Sequence, residues 1–297
     1  MRTKTARHQT LWFYIFISPW LIGAVLFALY PIVSSAYYSF TEYDIVNPPK
    51  WIGFQNYVDL FHDDIFWISI WATVRYTLLS VPIQLGLSLL FALLLNQKIP
   101  FKGFFRTVMY FPSMISGVAM ALIWMWIFNP QSGLLNQGLS LLGLPGPLWL
   151  FDEKWAIFAL VLMSLWTVGG GMVIFLAGLQ SVPPSLYEAA ELDGVTRLRS
   201  FWHITLPMIS PVFLFQLIMG LIESFQVFTQ AFIMTKGGPN YSTMFYVYYL
   251  YQNAFKNFKM GYASAMAWLL LIVVMVLALL IMKGSKRFVH YEGGDGV

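Results

Sequence analysis

The stretch Ser185–Pro207, SLYEAAELDGVTRLRSFWHITLP, is the polar interruption around which the long apolar runs of this chain are arranged. Ser185 followed three residues later by Glu188 is a capping-box pattern, which predicts that a helix begins here. Gly194 predicts a sharp turn, because glycine tolerates a left-handed backbone, and Thr196 can cap a second short helix. The stretch is therefore interpreted as a short helical elbow, a shape suited to insertion into a groove of another protein.

The composition excludes a water-soluble globular protein. Of 297 residues, 59% are hydrophobic and only 10% are charged, whereas soluble domains carry roughly 25% charged residues. Crossing a membrane takes about 20 apolar residues. The first apolar run is too long for a cleavable signal peptide, and no small-residue cleavage site follows it. We predict an all-α integral membrane protein with six transmembrane helices in residues 11–282, between an N-terminus of residues 1–10 and a tail of residues 283–297. The predicted spans are Leu11–Ser34, Thr77–Leu95, Thr107–Phe128, Ala156–Leu179, Met208–Met234 and Tyr262–Met282.

The distribution of lysine and arginine predicts the orientation, since these residues concentrate in cytoplasmic loops. One side of the predicted spans carries eleven and the other side five, so both termini are predicted to be cytoplasmic. This orientation also explains the net charge of +4, without any nucleic-acid partner. The eleven are Arg2, Lys4, Arg7, Lys98, Lys102, Arg106, Arg197, Arg199, Lys283, Lys286 and Arg287, and the five are Lys50, Lys154, Lys236, Lys256 and Lys259.

Several motifs resemble those of one family of transporters. The pattern EAA-x3-G-x9-I-x-LP runs without a gap from Glu188 to Pro207 and resembles the EAA loop of ATP-binding-cassette importer permeases. The strings WIGFQNY at 51–57, NQKIPFKGFFR at 96–106 and GGP at 237–239 are similar to signatures of the carbohydrate-uptake (maltose-type) branch. The resemblance covers nearly the whole chain, from Leu11 to Met282, and implies the permease fold of a type I importer.

This resemblance implies the partners. The elbow would be the coupling helix, seated in a cleft of a cytoplasmic ATPase dimer that binds ATP and Mg²⁺, so that this chain itself carries no cofactor and no metal. A second homologous permease subunit would complete the pathway, and an extracytoplasmic solute-binding protein would deliver the substrate. The implied location is the bacterial cytoplasmic membrane. The coupling residues implied are Glu188, Ala189, Ala190, Asp193, Gly194 and Arg197.

The resemblance also implies a substrate, a sugar and most simply an oligosaccharide, and a place for it. In maltose-type permeases the segment after the EAA loop lines the sugar pocket. Alignment on Pro207 and on the GGP string, continued back from Glu188 into the fourth span, marks the positions that would line it here. They are Trp166, Thr167, Gly170, Gly220, Glu223, Ser224 and Val227. The family's amides and aromatic residue at positions of the fifth span are Glu, Ser and Val in this chain, so the substrate contacts must differ.

The residues themselves point to the fifth span as well. Glu223 is the only acid within a predicted span, and charges there are costly enough to indicate function. It shares one helical face with Gly220, Ser224, Val227 and Gln230. Such a polar stripe lines either a cavity or a hydrogen-bonded seam between helices, and the resemblance favours the cavity.

Three further features leave alternatives open. Trp166 could stack on a sugar ring or be a packed indole. The glycines Gly169–Gly171 could allow close helix packing or mark a locally opened helix. Arg75 most simply reaches toward the lipid headgroups, but it could instead pair with Glu223 or hold a carboxylate of an acidic substrate.

The alternative function is an ion-coupled secondary transporter or channel for a polar solute, which could use Glu223 and Arg75 for coupling. The EAA loop favours the importer, because a secondary transporter has no use for an elbow matched to an ATPase. The sequence contains no G-x4-GK[ST], HExxH or GxSxG pattern, so it predicts neither an ATPase nor a hydrolase in this chain.

Overall fold

A computed structural model describes residues 4–285 of the chain, with side chains from residue 11 onward. Arg2, Lys286 and Arg287, which contribute to the orientation prediction, lie outside the described residues. Within residues 4–285, three single helices and three bent helix pairs are long and apolar enough to cross a membrane. The predicted all-helical membrane fold is confirmed, with six candidate spans when each bent pair counts as one.

The chain divides into two compact units, the first of which comprises Met1–Asp63 and Leu250–Leu271. Its first span runs from Leu11 to Tyr38, four residues past the predicted end, and none of its most apolar window is buried. The unit contains α1 (Lys4–Ala24), a π-turn (Val25–Leu29), α2 (Tyr30–Tyr38), strands β1 (Thr41–Glu42) and β2 (Lys50–Trp51), α3 (Gln55–Phe61), a π-turn (Gln252–Lys256) and the first part of the sixth span, Met260–Ser285.

A small hairpin follows the first span and explains part of the WIGFQNY string. Strands β1 and β2 pair antiparallel. The buried Asn56 side chain donates hydrogen bonds of 2.9 Å to the carbonyl oxygens of Ser39 and Thr41, and the Tyr57 hydroxyl donates to Ser39 Oγ at 2.9 Å. Gly53 adopts a φ of +64°, which favours glycine. These residues therefore hold the loop together.

The second unit, Asp64–Tyr249 with Ile272–Val297, contains the remaining four spans. Its longest helix has 33 residues, about 50 Å at 1.5 Å per residue. This helix begins thirteen residues before the predicted second span, because it includes Arg75 and the residues before it. The helices are α4 (Asp64–Asn96), α5 (Lys102–Tyr110), α6 (Gly117–Ile127), α7 (Leu134–Leu141), α8 (Glu153–Ser164), α9 (Gly169–Ser181), α10 (Pro184–Leu192), α11 (Arg197–Ser200), α12 (Leu206–Met208), α13 (Ser210–Phe225) and α14 (Tyr246–Tyr251), followed by α15 (Met260–Ser285), with 3₁₀ turns at Phe111–Met114 and Leu165–Thr167 and π-turns at Phe201–Thr205 and Ala231–Thr235.

The third span, predicted as continuous over Thr107–Phe128, is sharply bent. Lys102–Met114 and Gly117–Ile127 meet at 99°. The backbone between them is extended, and Ser116 caps the second helix by accepting a hydrogen bond from the Ala119 amide at 3.4 Å. Pro112 and this cap account for the break, since proline disfavours a continuous helix and a serine cap starts a new one.

The fourth span is bent by 47° between Glu153–Thr167 and Gly169–Ser181. The opening lies just before the three glycines, which themselves belong to α9. The carbonyl oxygen of Val168 accepts from the Met172 amide at 2.9 Å and also from the Ser88 hydroxyl at 3.0 Å, so Ser88 links α4 to the break. Both expectations for the glycines thus hold in part: the helix opens beside them, and at Gly169 and Gly171 neighbouring groups lie where a Cβ atom would be.

The fifth span differs most from its prediction, Met208–Met234. A helical segment from Arg197 to Met208 meets α13 at 67°, and α13 ends at Phe225, nine residues before the predicted end. Gln226 terminates it with φ −100° and ψ 14°. No glycine or proline occurs between residues 221 and 236, so the usual signals of a helix end are absent there.

The core of the second unit lies between α4 and α9. Leu85 and Ala92 of α4 pack in one cluster with Met172, Phe175 and Leu176 of α9, all buried. This cluster places the polar residues of both helices beside the break in the fourth span, where the candidate site lies.

Candidate functional site

The first helix of the elbow, α10, begins two residues earlier than the capping-box pattern predicts, since a cap at Ser185 would place the first helical residue at Leu186. Helix α10 starts at Pro184, and its N-cap residue is Pro183, which makes no side-chain cap hydrogen bond. Proline at the first helical position has a suitable fixed φ and no N–H to satisfy. Ser185 therefore lies within the first turn, and the predicted Ser185 cap is wrong.

The first helix of the elbow ends as predicted, in a turn at Gly194. This residue has φ +70°, and its amide donates to the carbonyl of Glu191 at 3.1 Å, while the Val195 amide donates to Ala190 at 2.9 Å. These two bonds form a Schellman motif, which satisfies carbonyls at the helix end. Asp193 occupies the C-cap position.

The two faces of α10 have different surroundings. Ala190 is buried, with 8% of its surface exposed, and Tyr187 packs against the α4–α9 cluster. Glu188 and Ala189 are exposed, and Leu192 is 91% exposed. Both alanines are among the coupling residues that the resemblance implies, and the structure distinguishes them: Ala190 is buried inside this chain, whereas Ala189 is exposed.

Tyr187→Phe is expected to loosen the elbow. The Tyr187 hydroxyl and Thr205 Oγ1 are 3.0 Å apart, and a hydrogen bond of this kind contributes about 1 kcal/mol. Thermal unfolding of the purified variant should show a loss of that size. Thr205→Val should give a similar loss, and the double variant should lose little more than either single one, whereas additive losses would contradict the pairing.

The segment after the turn is longer than the predicted short helix. Thr196 occupies the N-cap position without a side-chain hydrogen bond, and the helical path continues from Arg197 through Pro207 to Met208. Arg197 is exposed, as are Leu198 at 70% and Trp202 at 57%. The outer surface of the elbow thus combines charged and large apolar side chains.

Two cavities that share lining residues lie between α4 and α13, one of them reaching α6 and the other reaching α5 and α9. Their volumes are about 390 and 480 Å³. We call them together the central cavity. Both contain Glu223 and Gly220 of α13, Thr167 at the break, and Val81 and Gln84 of α4.

Most of the predicted pathway residues meet in the central cavity. Gly170 lines one of its two parts, and Ser224 and Val227 line the other. The predicted single helical face is wrong beyond Phe225, because Val227 and Gln230 follow the end of α13, but the turn there still brings both to the cavity. The Ser224 hydroxyl donates to the Leu221 carbonyl at 2.9 Å.

Sequence reasoning missed the contribution of α4. Ser80, Gln84 and Ser88 line the central cavity, and they follow one another at intervals of four residues, which places them on one helix face. A polar row in an apolar span is a detectable signal. Further hydrogen-bonding groups come from Tyr76, Tyr110, Ser113, Gln216, Gln226 and Gln230.

Trp166 and Arg75 are placed differently from the other predicted residues. Trp166 is absent from the described lining of the central cavity and packs edge-on against Trp124, with ring centroids 5.7 Å apart. Arg75 lines a separate cavity of about 590 Å³. Because Arg75 and Glu223 lie in different cavities, the structure does not support the pairing between them.

The bundle of apolar spans, the polar cavity between its helices and the exposed elbow define a membrane permease. The chain belongs to the family described as binding-protein-dependent transport system inner membrane component, whose model matches residues 84–289. Its members are transporter components and not catalytic enzymes.

Known proteins resemble the chain over nearly its full length. It is 42% identical to “Probable ABC transporter permease protein YesP” of Bacillus subtilis (strain 168), over 99% of this chain and 96% of the relative. It is 33% identical to the “Arabinooligosaccharides transport system permease protein AraP” of the same organism, over 93% and 88%. A solved bacterial alginate ABC transporter, in complex with an alginate pentasaccharide-bound periplasmic protein, matches with a TM-score of 0.83 and 25% identity, over 97% of this chain and 98% of the solved chain.

Proposed function

We propose that this permease forms half of the translocation pathway for a sugar, specifically an oligosaccharide, in an ATP-driven importer. The observation that carries the proposal is the central cavity, whose amides, hydroxyls and single carboxylate offer many hydrogen bonds to a polyhydroxylated solute. The names of the relatives support it, since one serves arabinooligosaccharides and the solved transporter carries an alginate pentasaccharide on its binding protein.

The proposed substrate contacts come from two spans. Thr167 and Gly170 contribute from the broken fourth span, and Gly220 and Glu223 from α13, with Ser224 and Val227 beside them. A broken helix supplies backbone groups that a continuous helix would keep internally bonded, so the break is suited to line a polar pathway. Glu223 is the only charged side chain in the described lining.

Glu223→Ala is expected to lower the uptake rate, or the apparent affinity for the sugar, by at least about tenfold, because a hydrogen bond to a charged group contributes about 1.5–3 kcal/mol. Glu223→Gln keeps the size and removes the charge. Uptake of labelled oligosaccharides into proteoliposomes containing the whole transporter provides the measurement.

The matched control is Glu153→Gln, which removes an acid from the separate Arg75 cavity. It should leave uptake unchanged. Unaltered rate and affinity for every sugar in Glu223→Ala would reduce Glu223 to a packing residue and would remove the main chemical argument for this pathway.

The elbow is proposed to transmit the work of ATP hydrolysis. A cytoplasmic ABC ATPase dimer, which holds ATP and Mg²⁺, would receive the outer face of α10 and the start of the next helix, with Glu188, Ala189, Asp193 and Arg197 exposed for contact. Leu192 supplies the apolar surface that such docking would bury. Ala190 and Gly194 are also proposed coupling positions. Ala190 would hold α10 against the rest of this chain, and Gly194 forms the turn at which α10 ends.

The remaining partners follow from the same assembly. An extracytoplasmic solute-binding protein would deliver the sugar, and a second homologous permease would close the pathway. The first span, whose most apolar window is unburied in this chain, is available to that second permease and to membrane lipid. Both termini would lie in the cytoplasm, and the bacterial cytoplasmic membrane would be the location.

The proposed cycle is mechanical. ATP binding closes the ATPase dimer, the two elbows move as rigid bodies, and the spans pass from an inward-open to an outward-open state. Reconstituted transporter should therefore take up sugar only with hydrolysable ATP. Full uptake without any nucleotide-hydrolysing partner would instead identify the alternative, an ion-coupled transporter or channel. The placement of Glu223 and Arg75 in different cavities does not favour that alternative.

A further inference from the structure

The Arg75 cavity, about 590 Å³ in volume, lies between the first half of α4, the start of α8 and residues 240–242. Trp67, Trp71, Arg75 and Leu79 line it and follow one another at intervals of four residues. The row that lines the central cavity, Tyr76 to Ser88, follows the same interval. Ile68 and Ala72, which also line the Arg75 cavity, precede Tyr76 in this second row, so the two cavities adjoin successive stretches of α4. Their linings share no residue, and the Arg75 cavity is therefore separate from the proposed sugar pathway.

Uncompensated positive charge is the main chemical feature of this cavity. Arg75 lies eleven residues into α4, about 16 Å from its start, and Lys154 stands at the start of α8. Neither forms an ion pair with any residue that the structure describes. Glu153 also lines the cavity, so the lining carries a net charge of +1 (two cations and one acid). A cation at this position in a span calls for an anion.

Neutral hydrogen-bonding groups add to the site. Asn240, Tyr241 and Ser242 line the cavity, and the Ser242 hydroxyl is buried with no hydrogen-bond partner in the described part of the chain. A buried hydroxyl without a partner is costly. An anionic oxygen entering the cavity would offer partners both to hydroxyl groups and to the two cations.

The rim of the cavity is aromatic and apolar. Trp71 is 59% exposed and Phe158 is 52% exposed, and tryptophan is enriched where the membrane meets water. Ile68 and Leu79 extend the apolar surface beside the cations. We propose that the Arg75 cavity binds an anionic phospholipid, with its phosphate between Arg75 and Lys154 and its acyl chains along these apolar side chains.

Native mass spectrometry of the purified transporter tests this proposal. Phosphatidylglycerol and phosphatidylcholine are titrated separately into the detergent-solubilised complex. The wild type should retain phosphatidylglycerol at least about tenfold better than phosphatidylcholine. The double variant Arg75→Gln, Lys154→Gln should lose about tenfold or more of this retention, and Lys50→Gln, which removes a cation outside the cavity, should lose none.

Further arms distinguish the occupants. Arg75→Lys keeps the charge and should retain the lipid, which separates loss of the anion from misfolding. Equal retention by the wild type and the double variant would overturn the proposal. Displacement of the lipid by a transported oligosaccharide would also overturn it. So would quantitative cross-linking of Trp71→Cys to the second permease, and the introduced thiol would be the only one in this chain, which contains no cysteine.

Discussion

Ala189→Leu is expected to weaken the association of this permease with its ATPase by about tenfold to a hundredfold and to lower uptake accordingly. Ala189 lies on the exposed face of α10 beside Glu188, where a coupling partner would approach the backbone. Inserting methyl groups into a packed contact costs about 1–3 kcal/mol, and each 1.4 kcal/mol is tenfold in affinity. Co-purification of the ATPase and uptake by the reconstituted transporter measure the two effects.

The neighbouring alanine provides a matched control. Ala190 is buried inside this chain, so Ala190→Leu should lower the thermal stability of the permease itself by about 1–3 kcal/mol. Ala189→Leu should leave that stability unchanged, because leucine is a good helix former and has room. If Ala189→Leu gave normal uptake and normal ATPase association, the outer face of α10 would not be the coupling surface.

The contrast between these two alanines shows what a sequence motif can specify. The EAA pattern predicted the position of the elbow and its turn at Gly194, both of which depend on local backbone preferences. It could not predict that Ala190 faces inward, since that depends on the packing of Tyr187 against the α4–α9 cluster. The early start of α10 reflects a competition between Pro184 and Ser185 that the capping-box pattern does not describe.

The spans were predictable in number and order, and the glycines of the fourth span indicated a possible opening there, but the breaks in the third and fifth spans were not predicted. Hydropathy records whether a segment is apolar, and it does not distinguish a straight helix from two helices at an angle. The break at Val168 is stabilised by Ser88, which is eighty residues away in sequence. The end of α13 at Gln226 has no local signal at all, so only the surrounding packing can determine it.

Only part of the lining of the central cavity was predicted. The resemblance gave its positions in the fourth and fifth spans, whereas Gln84 and its row on α4 had no family motif to mark them. Trp166 satisfied the expectation for a sugar-stacking ring by residue type, but its ring packs on Trp124. Residue type and span depth are thus insufficient to place a side chain in a cavity, because the helix face must also be known.

Gly169→Ala is expected to destabilise the permease by about 1–3 kcal/mol and to lower its melting temperature by about 2–12 °C. A Cβ atom at this position would overlap the carbonyl oxygen of Met109 and would lie 2.8 Å from the Cα of Tyr110. Both obstacles are backbone atoms of α5, which cannot rotate away as a side chain would. Thermal unfolding of the purified transporter measures the loss.

The next residue separates this steric effect from the helix propensity of the glycines. At Gly170 a Cβ atom would meet only Ser113 Cβ at 3.9 Å, an ordinary contact, and alanine favours a helix by about 1 kcal/mol over glycine. Gly170→Ala should therefore keep or raise the melting temperature. Equal losses in both variants would show that the glycines are needed for backbone freedom at the break. Loss only in Gly169→Ala would show that the first glycine is needed so that α5 can lie directly against α9, which keeps Tyr110 and Ser113 at the central cavity.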